Sequence, residues 1–116
     1  MLNDSVINVL KNNLWDVATC ADNEPNVVPV GFKDVTAEGN LVVGDVFLDT
    51  TLKNIAENNG RVAVSAYDGK TFEGYQIKGS AVYVTEGEVV DVFKGAAEEL
   101  FHGAETAKGA LIITHE

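Results

Sequence analysis

The chain has 116 residues, 46% hydrophobic and 22% charged, with 18 acidic and 8 basic residues and a formal net charge of −10. That balance predicts one globular domain spanning 1–116, and the acidity argues against nucleic acid as a partner, because phosphate backbones are repelled and no Lys/Arg run reverses the field. No apolar run is long enough to span a bilayer, Met1 to Ser5 lack the basic and apolar pattern of a secretory signal, and the lone Cys20 fits a reducing cytoplasm.

In chain order, Leu2, Val6, Val9 and Leu10 recur at helical spacing, so 3–12 is read as an amphipathic helix ending at Asn12-Asn13. Trp15 to Cys20 alternates as a strand, with Trp15, Val17 and Thr19 on one side and Asp16, Ala18 and Cys20 on the other. Ala21 to Pro25 is a turn cluster. Asn26 to Val35 resumes β character, Glu38-Gly39-Asn40 turns, and Leu41 to Val46 completes an antiparallel meander of three strands. Pro29 inside the second strand marks an edge, a bulge or an opening, and Gly31 strengthens that reading.

Thr50 to Asn58 is a short helix with Leu52, Ile55 and Ala56 inward, stopped by Asn59-Gly60. Arg61 to Tyr67 is a strand, Asp68-Gly69-Lys70 a turn, and Glu73 to Val84 a long strand with bends at Gly74 and Gly79. Thr85 to Glu88 has capping-box spacing. It opens a helix whose face is Val89, Phe93, Ala96, Ala97, Leu100 and Phe101, closed by His102-Gly103. Ala110 to Thr114 is an apolar strand covered on both faces. The sum is an α+β fold: a six-stranded antiparallel split β-barrel with three short peripheral helices. The long strand and the apolar helix leave surface for a two-fold interface, so a homodimer is expected.

Familiar catalytic patterns are missing from the sequence. Cys20 reads as a buried, inert thiol in a core-adjacent strand. His102 and His115 lack metal-ligand spacing, Asp45 and Asp49 read as loop acids in solvent, and there is no Walker or Rossmann glycine loop. The run Val46-Phe47-Leu48-Asp49-Thr50-Thr51 leads from a strand into a helix. Unpaired amides at a helix start suit an anion; equally, Thr50 or Thr51 simply caps the helix.

The ordered segments Pro25-Asn26-Val27-Val28-Pro29-Val30-Gly31-Phe32, Leu41-Val42-Val43, Thr51-Leu52-Lys53-Asn54-Ile55, Arg61-Val62-Ala63-Val64-Ser65 and Gly74-Tyr75-Gln76-Ile77-Lys78-Gly79-Ser80-Ala81 resemble the small FMN-binding proteins of the pyridoxamine 5′-phosphate oxidase-like split-barrel superfamily. The resemblance implies a cytoplasmic homodimer with FMN at each end of the interface. It places Pro29, Val30 and Gly31 beside the flavin ring and Val46, Phe47, Thr50 and Thr51 around the phosphate, with Gln76 as a polar or dimer contact. An FMN-dependent oxidoreductase and an electron carrier with a small-molecule or protein redox partner are both implied. Relatives commonly carry lysine just before the threonine at the helix start, where this chain has Asp49-Thr50-Thr51; Lys53, Lys33 or Lys78 would have to compensate. Two alternatives stay open: a barrel dimer that has lost tight flavin binding and acts as a binding or structural module, and a barrel for another planar ligand such as haem.

Overall fold

The computed structural model describes residues 2–115 and forms three helices and seven strands. In order these are α1 (Asp4–Asn12), β1 (Trp15–Ala21), β2 (Glu24–Val30), β3 (Lys33–Val35), β4 (Leu41–Asp45), α2 (Thr50–Glu57), β5 (Arg61–Tyr67), β6 (Gly74–Val84), α3 (Glu88–Phe101) and β7 (Gly109–His115). The strands make one curled antiparallel sheet in the order β2-β1-β5-β6-β7-β4-β3. The strand expected over 26–35 is two strands, which raises the count from six to seven. The break at Gly31-Phe32 lets the same stretch of chain form both edges: β2 pairs with β1, and β3 pairs with β4 at the far side of the sheet.

Local chemistry explains the elements. The Asn3 side chain caps α1 by accepting the Val6 N–H at 3.0 Å, and Val6, Val9 and Leu10 are buried. The β1–β2 turn is tighter than the expected cluster. Asp22 and Asn23 alone form it, with φ of 52° and 62°, the positive pair that a two-residue I′ hairpin demands. Ala21 and Glu24 flank that turn as partners, so hydrogen-bonded and non-hydrogen-bonded pairs alternate from there. Pro25 and Pro29, opposite Cys20 and Asp16, both fall on non-hydrogen-bonded positions. Their missing N–H groups would have pointed away from β1, which is why an edge strand tolerates both.

β6 curls the sheet by changing partners along its length. Gly74 to Ser80 pair with β5, and Gly79 to Val84 pair with β7. The main core fills the inside of the curl, with Trp15, Val17, Leu41, Val43, Val64, Leu111 and Ile113 nearly inaccessible. A second core lies outside β4 and β7, where Val90, Phe93 and Ala97 of α3 pack on Val42, Val46 and Ala110. A Cβ at Gly44 would sit 2.7 Å from the Phe93 ring, so this glycine permits the close approach of α3.

Several expectations are corrected. Cys20 is exposed, because it lies opposite Trp15 on the outer face of β1, which no other part of the chain covers. On α3, Val90 is buried while Leu100 is 62% exposed, and on α2 Ala56 faces solvent. The capping box does not form. Gly87, at φ 119°, is the N-cap of α3 and no side chain caps it, so Thr85 lies two residues too early.

Candidate functional site

The break between β2 and β3 faces the loop that leaves β4. Together they enclose a cleft of about 270 Å³, lined by Val28 to Phe32, Gly44 and Val46 to Leu48. Five of the eight residues singled out from the sequence meet here: Pro29, Val30, Gly31, Val46 and Phe47. Gly31 is exposed and belongs to neither the β1–β2 nor the β3–β4 ladder. Its peptide groups are therefore left outside the strand ladders. The walls are mostly apolar, and Phe47 is 68% exposed with its ring edge-on to Phe101, 5.8 Å between centroids. Phe101 in turn packs on Phe32 at 5.9 Å.

The loop continues directly into α2. Asp49 is the N-cap but makes no side-chain capping bond, so neither threonine plays the capping role. Thr50 is exposed. Thr51 is turned inward, 1% accessible, and its hydroxyl accepts from Asn26 Nδ2 at 3.3 Å. One turn on, Asn54 Nδ2 donates to Thr19 Oγ1 at 2.9 Å. These pairs fasten α2 to β1 and β2, directly after the cleft loop. Asp49 and Lys53 pair across one turn at 3.5 Å, both mostly in solvent.

The other two cations offered as compensation, Lys33 and Lys78, lie elsewhere. Lys33 Nζ donates to the carbonyls of Leu10 and Lys11, each at 3.0 Å, at the end of α1. It also sits 5.6 Å from the Trp15 ring centroid. Burial pulls its pKa below the usual lysine range, partly offset by Asp34. Lys78 and Gln76 lie on the outer face of β6. Gln76 shares a transverse row with Ser65, Asp16 and Pro29, three strand spacings from the cleft and so about 14 Å away. Below that row a shallow trough of about 710 Å³ has Ala18 and Ala63 at its floor and Arg61 and Lys78 on one wall.

Asp45 is not a solvated loop acid. It is fully buried. Its Oδ2 accepts the Tyr83 hydroxyl at 2.6 Å and its Oδ1 the Leu48 N–H at 3.1 Å. Burial first, then this hydrogen bond and the negative charge, push Tyr83 up to about 12. Sequence reasoning missed this pair, because its members stand 38 residues apart. It also missed Phe32, Gly44 and Leu48 as cleft residues, although Phe32 adjoins the Pro29-Gly31 signal. Among the described residues no group of three or more His, Cys, Asp or Glu could hold a metal. No helix is long and apolar enough to cross a membrane.

The family model for pyridoxamine 5′-phosphate oxidase matches residues 8–112. An uncharacterised protein of Methanocaldococcus jannaschii is 38% identical over 90 residues, 75% of this chain and 59% of that protein. The chain thus spans about three-fifths of the length of this curated relative. The HupZ protein of Group A Streptococcus superposes with a TM-score of 0.83 at 24% identity, over 100% of this chain and 90% of that one. An FMN-binding protein from Syntrophomonas wolfei gives 0.72 at 17% identity, over 97% and 78%. Both structural likenesses establish the shared fold.

Proposed function

Because the chain belongs to the pyridoxamine 5′-phosphate oxidase family, we propose that it binds FMN in the cleft at the β2–β3 break and works as a small redox flavoprotein or electron carrier. One observation carries the reading: the cleft unites the open backbone at Gly31, apolar walls and, immediately beyond Leu48, a helix start whose first residues, Asp49 and Thr50, are exposed. Flat apolar walls suit a fused aromatic ring, and the first amides of a helix suit a phosphate. Pro29, Val30 and Gly31 would line the ring with Val46 and Phe47. Thr50 and the first amides of α2 would face the phosphate. Thr51 would serve through its amide, since its hydroxyl is buried against Asn26. Bound there, FMN supplies the redox chemistry, and the chain supplies position and electrostatics.

A volume of about 270 Å³ falls just below the roughly 300–1,000 Å³ of complete small-molecule sites. One chain would therefore cover only part of a nucleotide, and a second copy would cover the rest. The bare outer face of β2, β1, β5 and β6 is the surface offered for it. Its central residues are small, and in a chain of net charge −10 it carries Arg61 and Lys78 as well as Asp16, so two copies would meet there with least repulsion. Gln76 would then act as a dimer contact.

The test is an absorbance and fluorescence titration of the purified protein with FMN, alongside sedimentation. Saturable quenching at one FMN per chain, in a dimer, is expected. Ala63→Arg should yield monomers that bind FMN more weakly. An FMN spectrum unchanged by excess protein would overturn the flavin reading, and a wild-type monomer would overturn the shared site.

A further inference from the structure

We infer that the buried Asp45–Tyr83 pair is a positioning device for the cleft, fixing the wall Val46-Phe47-Leu48 from behind. Only the ligand half of this inference rests on the flavin reading.

A fully buried carboxylate is costly unless its oxygens are satisfied. The two side-chain partners of Asp45 are a phenol and an amide, neither of them a cation, so the residue contributes little that an apolar side chain in β4 would not. What it does supply is geometry. Its bond to the Leu48 N–H closes a turn over Val46 and Phe47, both of which line the cleft. Its bond to Tyr83 ties that turn to β6, in the middle of the sheet. Its backbone carbonyl accepts the Lys108 N–H at 2.8 Å, ahead of β7. A Cβ at Gly109 would lie 2.6 Å from the Tyr83 hydroxyl, so the path of Tyr83 to Asp45 is kept open by the absence of a side chain. Tyr83 does not line the cleft. An effect of its hydroxyl on a ligand there must pass through Asp45 and the turn.

The experiment compares the wild type with Tyr83→Phe and Asp45→Asn in the full chain. Exchange of the Leu48 amide with deuterium is followed by NMR, and FMN and riboflavin affinities are measured in parallel. A hydrogen bond to a charged group is lost in Tyr83→Phe, so Leu48 exchange should accelerate about ten-fold or more, while amides of the β5–β6 ladder keep their rates. FMN and riboflavin should weaken by the same factor, because the wall serves the ring that both share. Asp45→Asn can still accept from Leu48 and donate to the Tyr83 oxygen, and should stay within about two-fold of wild type in every readout. Unchanged Leu48 exchange in Tyr83→Phe would overturn the inference. So would faster exchange with both affinities intact, or Asp45→Asn behaving as badly as Tyr83→Phe, which would make charge rather than position the cause. A wild type that binds neither flavin would refute the flavin reading alone, and the clamp would then stand or fall on Leu48 exchange. Should Tyr83→Phe fail to fold, Asp45→Ala read by the same Leu48 exchange replaces it.

Discussion

Thr50→Lys tests whether a phosphate lies at the start of α2. Thr50 is the first residue of the helix and is exposed, and the preceding N-cap, Asp49, makes no side-chain capping bond. A cation there has two opposed effects. Without ligand it sits at the positive end of the helix dipole, which costs about 0.3–1 kcal/mol. With FMN bound it faces the phosphate, and an exposed ion pair is worth about 0.2–1 kcal/mol. The neighbouring Asp49–Lys53 pair, open to solvent and 3.5 Å apart, nearly cancels itself and leaves these figures standing. FMN affinity should therefore rise only about 1.4- to five-fold, while the ligand-free protein melts slightly earlier. The gain should shrink at high salt, since the Debye length falls from about 10 Å at 0.1 M to about 3 Å at 1 M. Fluorescence titrations with FMN and riboflavin at two salt concentrations, plus a thermal melt, read all three effects. If riboflavin tightens as much as FMN, or FMN does not tighten at low salt, the phosphate does not lie at this helix start.

Two further predictions concern the barrel. Lys33→Met removes two hydrogen bonds to the terminal carbonyls of α1 and the charge near Trp15, while Met keeps the packing of the stem. Partial burial of the ammonium offsets some of the gain, so a loss of about 1 kcal/mol is expected, about 4 °C in Tm for a domain of this size; an unchanged melt would mean the lysine does not secure α1. The hydrogen-bonded phenol of Tyr83 is held up to about 12, against an ordinary value of 10.0. Its pKa is raised on folding, so its contribution to stability is complete below pH 10 and is lost as pH climbs to about 12. Denaturant midpoints across that range should fall more steeply in wild type than in Tyr83→Phe, and parallel slopes would refute the assignment.

The elements were legible where they depend on local signals. The helical spacing of Val6, Val9 and Leu10, the Asn59-Gly60 stop and the β-branched run of Arg61 to Tyr67 each act within a few residues, and the structure has them all. The split of the second strand was not legible. Composition is β-like throughout 26–35, and the break at Gly31 arises from which distant strand each half pairs with. Cys20 shows the same division. Its parity opposite Trp15 follows from a period of two. Which face is covered depends on α3, which packs outside β4 and β7 and leaves the outside of β1 bare. For the site, the Pro29-Gly31 and Val46-Phe47 signals converge on one cleft. Burial of Asp45 was invisible, because an acid four residues before another acid reads as solvated until Tyr83 arrives from β6.

The same break that divides β2 from β3 creates two sheet edges, and both are blunted against strand addition. On β2, two of the three outward N–H positions, 25 and 29, are prolines, which leaves only Val27 between them with an outward donor. At the two ends of β3, the Phe32 carbonyl accepts the Gly44 N–H of β4 and the Thr36 N–H donates to the carbonyl of Asn40, just before β4. The alternation then turns the Val35 N–H outward, where the Asp34 carboxylate accepts it at 2.8 Å. A sheet so protected is poorly suited to associate through its edges, while its four-strand outer face is left uncovered. Association through that face keeps the break itself clear, and the break is where Gly31 offers backbone outside any ladder. On the proposed flavin reading the split serves the ligand, and each edge it exposes has its own local remedy.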